Sequence, residues 1–155
     1  MKKTLLFAFL FCFVTLQLAS AQSYETECIS VEQDGSQTLR VWGKGRNRSD
    51  AVEQAKKDAV YEILFKGVKK GNTKDKHRPV VTEVNARERY SEYFDIFFMD
   101  DGEYLNYVSM ADKKIGSTKK IKGTTQVRCC VTVRVLVSEL RQRLTQDGVL
   151  QQKEN

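Results

Sequence analysis

The sequence predicts an α+β fold, a small and mainly antiparallel sheet with two or three helices packed on it. Two β-like runs flank Asp34 and Gly35, a dipeptide typical of hairpin turns because both positions tolerate positive φ. Small and apolar residues then recur at helical spacing. Valines alternate with other residues over positions 127–137, which indicates a strand with one covered face.

The N-terminal 21 residues are predicted to be a cleaved signal peptide. Two lysines precede an apolar run over residues 4–18, and Ala19 and Ala21 give the small-x-small pattern after which signal peptidase cuts. We therefore expect a mature chain that begins at Gln22 and is periplasmic or secreted. Cys12 lies in the middle of the apolar run, so no lipid anchor is predicted.

Residues 22–150 are predicted to form a single α+β domain, followed by a disordered tail over residues 151–155. This length is common for one domain, and neither a Pro-rich or Ser-rich linker nor an internal repeat divides it. We expect no transmembrane helix in the mature chain. The oligomeric state stays open.

The first helix is expected after a turn at Gly43 and Gly45, with Asn47 or Ser49 as its N-cap. Its apolar stripe recurs at spacings of three and four residues: Val52, Ala55, Ala59 and Ile63. The helix should end near Gly67 because glycine commonly follows the last helical turn.

A second helix is expected after the lone proline, with Asn85 and Glu88 as a start that resembles a capping box. Aromatic residues follow at helical spacing: Tyr90, Tyr93, Phe94, Phe97 and Phe98. Because such rings bury much apolar area, we interpret them as core rather than as a sugar or cofactor site. Tyr104 and Tyr107 follow an acidic turn and are expected to be the more exposed rings.

The closing strand places Cys129 on its valine face and Cys130 on the opposite face, beside Arg128. A last helix should follow, with Ser138 as its cap and Gly148 as its stop. Its apolar residues Leu140 and Leu144 lie one turn apart.

One disulfide is predicted, because three cysteines remain in a chain bound for an oxidising compartment. Cys28 with Cys130 is the favoured pair, since an N-terminal strand could reach the face opposite the valines. Cys28 with Cys129 is the alternative, and it requires the first strand to lie under the core face. A bridge between the two adjacent cysteines would be strained.

Two lysine-rich runs are candidate sites for an anionic partner. Residues 66–78 carry six Lys or Arg and one Asp, and residues 112–122 carry five and one. Their Gly, Ser, Thr and Asn content indicates loops. Such loops are either solvated or attract phosphorylated lipid headgroups, acidic glycans or an acidic protein face. The candidates are Lys69, Lys70, Lys74, Lys76, Lys113, Lys114, Lys119, Lys120 and Lys122.

The glycine turn is not interpreted as a nucleotide site. A dinucleotide-binding loop needs a third glycine, and Arg48 stands at that position. The chain contains no P-loop sequence. Nucleic acid is not an expected partner, because neither basic run interleaves aromatic residues with its cations.

No cofactor, metal or catalytic residue is predicted. His77 is the single histidine, which excludes a multi-histidine metal site. Asp100, Asp101 and Glu103 lack the spacing of a calcium-binding loop. Two catalytic carboxylates need only be close in space, so the sequence selects no pair.

The strand, glycine turn and first helix resemble the N-terminal domain of flagellar assembly protein T and related small outer-membrane lipoproteins. The matching residues are Gly43, Gly45, Ala51, Ala55, Asp58 and Ala59, with the strand and helix over residues 127–144. Val52 stands where that family commonly has arginine, and no lipobox is present. The resemblance implies a small sheet covered by helices and an envelope accessory or assembly role without catalysis.

The sequence therefore favours an exported, non-catalytic envelope accessory or assembly module that binds another envelope protein or an acidic surface component through loops on a rigid sheet. One alternative is an exported inhibitor or immunity-type protein, which would use a charged face in the same way. Another is a small carboxylate-dependent hydrolase, which a pocket lined by two carboxylates would indicate.

The predicted leader gives a direct test. Protein purified after export should begin at Gln22, because the expected cut follows Ala21. Intact-mass spectrometry measures this start. Retention of Met1, or added mass from acyl chains, would contradict the predicted processing.

Overall fold

A computed structural model describes residues 26–71, 78–111, 116–121 and 124–151. The strands are β1 (Glu27–Val31), β2 (Gln37–Gly45), β3 (Lys70–Gly71), β4 (Val108–Met110), β5 (Thr118–Lys120) and β6 (Val127–Val135). The helices are α1 (Arg48–Tyr61), α2 (Ala86–Arg89), α3 (Ser91–Phe97) and α4 (Val137–Gln146). A π-helical turn, Glu62–Lys66, extends α1, and a 3-10 helix, Glu103–Tyr107, precedes β4. The α+β prediction is confirmed.

The sheet is organised around β2 and β6, which pair antiparallel over nine positions from Gln37 opposite Val135 to Gly45 opposite Val127. β1 and then β3 extend the sheet beyond β2, while β4 and β5 pair with different parts of β6. Every described pairing is antiparallel except that of β3 with β1. The sheet is therefore mixed but mainly antiparallel, as predicted.

The predicted hairpin joins β1 to β2, but its turn is longer than a two-residue turn. Val31 pairs with Gln37, so residues 32–36 form the loop. Gly35 has φ 81°, a conformation that favours glycine. The carboxylate of Asp34 accepts hydrogen bonds from the backbone N–H and the hydroxyl of Ser36, at 2.9 and 2.6 Å.

The glycine turn serves to bring α1 close to the sheet. A Cβ added at Gly43 would lie 1.9 Å from the carbonyl oxygen of Ala51, and one added at Gly45 would lie 2.4 Å from the Ala51 nitrogen. Ala51 and Ala55 are fully buried on the facing side of α1. Asn47 caps the helix, because its side chain accepts the N–H of Asp50 at 2.9 Å. One of the two predicted caps is thus confirmed.

The aromatic stripe lies in the core, as predicted. Phe94 and Phe97 are buried, and the other three rings of the stripe pack against the same core cluster. The start of this helical region is different from the prediction, because Asn85 has φ 63° and makes no side-chain capping bond. The helix is also divided at Tyr90.

The prediction of exposed rings after the acidic turn is wrong for Tyr104, which is 2% exposed. The 3-10 helix brings its ring 5.9 Å from that of Phe98, and the Lys57 ammonium lies 5.5 Å from its centroid. Burial raises the pKa of the Tyr104 hydroxyl to about 12. Tyr107 is only partly exposed and packs against the core.

The last helix ends as predicted but begins differently. Gly148 has φ 73° and follows the end of α4, and the Val149 N–H donates to the Leu144 carbonyl. Ser138 does not cap α4. Its hydroxyl donates to the Asp34 carbonyl at 2.9 Å, which ties the helix to the β1–β2 loop.

The predicted disulfide is wrong, because Cys28, Cys129 and Cys130 are all buried free thiols. Cys28 pairs with Leu39 on one side of β2, whereas Cys130 pairs with Trp42 on the other side. Two strand spacings amount to roughly 9.5 Å, which is longer than the Cα separation of a disulfide. The same two spacings separate Cys28 from Cys129, so the alternative bridge fails for the same reason.

Three expectations lie partly or wholly outside the described residues. They are the leader over residues 1–21, the tail over residues 151–155 and the start of the mature chain at Gln22. Among the helices that the structure describes, none is both long enough and apolar enough to cross a membrane.

The close approach of α1 predicts a strong effect of Gly43→Ala. The new methyl group would collide with helix backbone, so the free energy of unfolding should fall by about 1 to 3 kcal/mol. Urea unfolding followed by circular dichroism measures the change. Lys44→Ala is the matched control, because Lys44 is exposed between the two glycines and should change stability by no more than about 0.5 kcal/mol. Equal urea midpoints for the two variants would contradict the packing role.

Candidate binding face of the sheet

The described helices all lie on one face of the sheet. Each contributes buried residues to a single core cluster that also contains Leu39, Val41 and the valines of β6. The opposite face, here called the outer face, carries the alternate side chains of the strands. These are Glu27, Thr38, Arg40, Trp42, Lys44, Ser109, Lys119, Arg128, Cys130, Thr132 and Arg134. None of them belongs to the core cluster.

Three cations form a row across the outer face. Arg128 on β6 pairs with Lys44 on β2 and with Lys119 on β5. Side chains directly opposite each other in an antiparallel pair have Cβ atoms about 5 Å apart, and like charges at that distance destabilise the sheet. The row places three positive charges on adjacent strands, and such a cluster attracts anionic groups.

Trp42 lies beside this cationic row. It is the single tryptophan of the chain and is partly exposed. Its cross-strand neighbour is Cys130, and the Lys119 ammonium lies 5.5 Å from its ring centroid. The electron-rich face of the indole attracts a cation at this distance. The outer face thus combines a ring with cations in the same small area.

The end of the outer face near the β1–β2 loop has compensating acidic groups. Arg40 forms an ion pair with Glu27 at 3.0 Å, and Arg134 forms one with Asp34 at 2.8 Å. Hydrogen bonds from Ser36 lower the pKa of the Asp34 carboxyl, and the nearby Arg134 lowers it further. Arg40 and Arg134 therefore each have an acidic partner on the described strands and loop.

Cys130 is the one thiol on the described outer face. It is 9% exposed, and burial raises the pKa of its thiol, with smaller opposing effects of Arg40 and Glu27. A raised pKa keeps the thiol protonated at neutral pH, and the protonated thiol is a poor nucleophile. At neutral pH the Cys130 thiol is therefore held in its protonated form.

The structure separates the two lysine-rich runs. Lys119 and Lys120 lie on β5, whereas Lys69 and Lys70 lie at or next to β3, on the other edge of the sheet. Four strand spacings, roughly 19 Å, separate these edges. The other candidates lie outside the described residues: Lys74, Lys76, Lys113, Lys114 and Lys122. The described lysines of the two runs therefore do not form one patch.

Only Lys119 among the predicted lysines belongs to the cationic row. The other members, Lys44 and Arg128, and the adjacent Trp42 were not predicted as site residues. A signal for them exists in the alternation of β2, where Arg40, Trp42 and Lys44 occupy every second position. Alternation places these residues on one face, but the register with β6 and β5 is needed to bring the cations into a row.

A cleft of about 410 Å³ lies along α1, includes Trp42 in its lining and contains two carboxylates, Asp58 and Glu62. Gln54 donates to the Asp58 carboxylate at 2.7 Å, and Lys66 forms an ion pair with Glu62 at 2.7 Å. Burial raises the pKa of Asp58, and the neighbouring Glu62 adds a smaller upward contribution. Two carboxylates in different environments are a feature of acid–base pairs, so the cleft is a second candidate site.

No group of three or more His, Cys, Asp or Glu side chains within the described ranges is arranged to hold a metal ion. Comparison with family models, known proteins and solved structures found no match to this chain. The resemblance to the N-terminal domain of flagellar assembly protein T therefore stays a prediction.

Asp58 should oppose folding at neutral pH. Burial raises the folded-state pKa of Asp58 above its unfolded-state value. The free energy of unfolding therefore falls as pH rises from the unfolded-state pKa through the folded-state pKa, because the unfolded protein ionises more readily. Asp58→Asn removes that cost while Gln54 can still donate to the new side chain. At pH 7 the variant should be more stable by a few tenths of a kcal/mol to about 1 kcal/mol. The gain should disappear near pH 3, where both states are protonated.

Urea midpoints of wild type and Asp58→Asn, measured from about pH 3 to about pH 7, test the prediction. Asp95→Asn provides a matched control, because Asp95 is an exposed helical carboxylate that forms an ion pair with Arg87. A pH-independent difference for Asp58→Asn would show that ionisation of Asp58 is not the cause.

Proposed function

We propose that the protein is an exported, non-catalytic envelope accessory or assembly module that binds an acidic partner through the outer face of its sheet. One observation carries this proposal: Lys44, Arg128 and Lys119 form a single row beside the partly exposed Trp42. The predicted lysine-rich loops contribute Lys119 to this surface. The remaining binding groups come from the strands themselves.

A sheet is a favourable support for such a surface. Backbone hydrogen bonds to neighbouring strands fix the positions from which the cations project, so binding requires little ordering of the backbone. Three positive charges on adjacent strands attract an anionic group to this face. A partner with several carboxylates, phosphates or sulfates satisfies this requirement better than a single ion does.

The chemistry of the outer face supports binding rather than catalysis. The raised pKa of the Cys130 thiol disfavours a thiolate nucleophile, and the acids Glu27 and Asp34 are held in ion pairs with arginines. An inhibitor or immunity-type protein would use the same face, with an acidic protein surface as its partner.

The second candidate function is a small carboxylate-dependent hydrolase. It is favoured by the single observation that Asp58 and Glu62 line one cleft. Both carboxylates are engaged by residues of their own helical segment, Gln54 and Lys66. These contacts are typical of the polar side of a helix. We therefore favour the binding function over hydrolysis.

The cationic row predicts position-specific binding of acidic polymers. Wild-type protein should bind at least one of two defined probes, polygalacturonate and poly-glutamate, at low salt, and more weakly as salt screens the charges. The triple variant Lys44→Gln, Arg128→Gln and Lys119→Gln should bind at least ten-fold more weakly. Isothermal titration calorimetry at two salt concentrations measures both effects.

A control variant with the same net charge separates position from total charge. Lys69→Gln, Lys70→Gln and Arg141→Gln remove three exposed cations from other parts of the structure and should leave binding nearly unchanged. Equal losses in the two triple variants would show that net charge alone governs the interaction. Absence of binding to both polymers by the folded wild type would overturn the proposed function.

A further inference from the structure

We infer that the cleft along α1 binds a primary ammonium group on a short aliphatic stem, and that Asp58 is the residue that receives its charge. This site is separate from the cationic row, so it does not rest on the proposed function of the outer face. It assigns a ligand of the opposite charge to a second part of the molecule.

The cleft combines apolar side chains with carboxylates. Its volume of about 410 Å³ is within the range of small-ligand sites, roughly 300 to 1,000 Å³. Val41, Tyr61 and Phe98 line its apolar side, and the ring centroids of Tyr61 and Phe98 are 6.0 Å apart. Asp58 lines the same cleft and is partly exposed. A ligand with an aliphatic stem and a positive charge matches this lining.

The cations of the cleft are already paired. Each described lysine or arginine in its lining has a carboxylate oxygen within 3.1 Å. The ion pairs are Lys57 with Asp100, Lys66 with Glu62 and Arg87 with Asp95. An anionic ligand would have to break one of these pairs to gain a cation, so the lining does not favour an anion.

Asp58 differs from these groups because, among the described residues, it forms no ion pair. Its hydrogen-bond donor is the side-chain amide of Gln54, which lies 2.7 Å from Oδ1 and is neutral. Burial raises the pKa of the Asp58 carboxyl, and the opposing electrostatic effects of Lys66 and Lys57 are smaller. A carboxylate accepts several hydrogen bonds, so the bond from Gln54 leaves acceptor capacity for a cation.

A primary ammonium fits this carboxylate better than other cations do. It donates hydrogen bonds to a carboxylate, whereas a quaternary ammonium has no N–H to donate. A metal ion requires several ligands, and no group of three or more His, Cys, Asp or Glu side chains in the described part of the chain is arranged to hold one. The Lys66 ammonium already lies 5.4 Å from the Tyr61 centroid, so Asp58 and not this ring receives the charge of the ligand. The apolar side chains cover the stem.

Three probes with the same stem and different head groups test the inference: pentylammonium, 1-pentanol and pentanoate. NMR titration of ¹⁵N-labelled protein at pH 7 follows the side-chain amide of Gln54 and the indole N–H of Trp42, because both residues line the cleft. Pentylammonium should shift both signals saturably. It should bind about ten-fold more tightly than 1-pentanol, since hydrogen bonds between charged groups are stronger than neutral ones. Pentanoate should bind more weakly than 1-pentanol, and methylammonium, which has no stem to bury, more weakly than pentylammonium.

Two further probes distinguish the sources of such a group. Cadaverine represents a free diamine, and a lysine with blocked amino and carboxyl termini represents a lysine side chain of a partner polypeptide. The probe that binds more tightly identifies the source, and either result supports the ammonium site. Weaker binding of both probes than of 1-pentanol would contradict it.

Substitution of Asp58 separates charge from shape. Asp58→Asn removes the charge and keeps a group to which Gln54 can donate. The variant should bind pentylammonium and 1-pentanol with similar affinity. Because it is expected to be more stable than wild type at pH 7, unfolding would not account for that loss. Glu139→Gln is the matched control, since it removes an exposed carboxylate from α4 and should retain the preference. Circular dichroism of both variants confirms that the fold is intact.

The outcomes distinguish this inference from the proposed function. Equal affinities of wild type for pentylammonium and 1-pentanol, or an unchanged preference in Asp58→Asn, would overturn the ammonium site. Tighter binding of pentanoate than of pentylammonium would overturn it in favour of an anionic ligand. The triple variant of the cationic row should retain the preference for pentylammonium, and Asp58→Asn should bind acidic polymers no more weakly than wild type does. Each site can therefore fail without the other.

Discussion

The contact between the glycine turn and α1 is the constraint on which the rest of the structure depends. Gly43 and Gly45 have no side chains, so the backbone of α1 comes close enough that a methyl group at either position would overlap Ala51. This approach places α1 against β2 and β6 and defines which face of the sheet is covered. Later helices then complete the same core cluster, and the alternate side chains are directed to the other face.

Coverage of one face also explains why charged groups accumulate on the other. Positions that do not pack against helices are free of the requirement for apolar residues, and β2 and β6 carry arginine, lysine and tryptophan there. Clustering of like charges is unfavourable for the sheet in isolation. The cationic row is a cluster of like charges on three adjacent described strands.

The same contrast separates the two candidate sites. At the cationic row, three strands bring charges of one sign together on one face of the sheet. In the cleft along α1, Asp58 and Glu62 have local partners one turn away, so much of their electrostatic interaction is satisfied within the helical segment. The row is therefore a product of strand register, whereas the carboxylates of the cleft come from one helical segment.

The sequence by itself determined the features that depend on local periodicity. The valine alternation of β6, the alanine stripe of α1 and the burial of Phe94 and Phe97 follow from side-chain spacing along one element. The tertiary structure decided what depends on contacts between different elements. Tyr104 is buried because the 3-10 helix packs its ring against Phe98, which no local pattern indicates.

Strand register is the second feature that depends on the tertiary structure. It separates Cys28 from both later cysteines by two strand spacings, and it places Lys44, Arg128 and Lys119 side by side although Lys44 is more than 70 residues from the other two in the chain. Alternation specifies only the face on which a side chain lies. The neighbour it meets across the sheet is set by strand order and register, because pairing joins positions that the sequence does not relate.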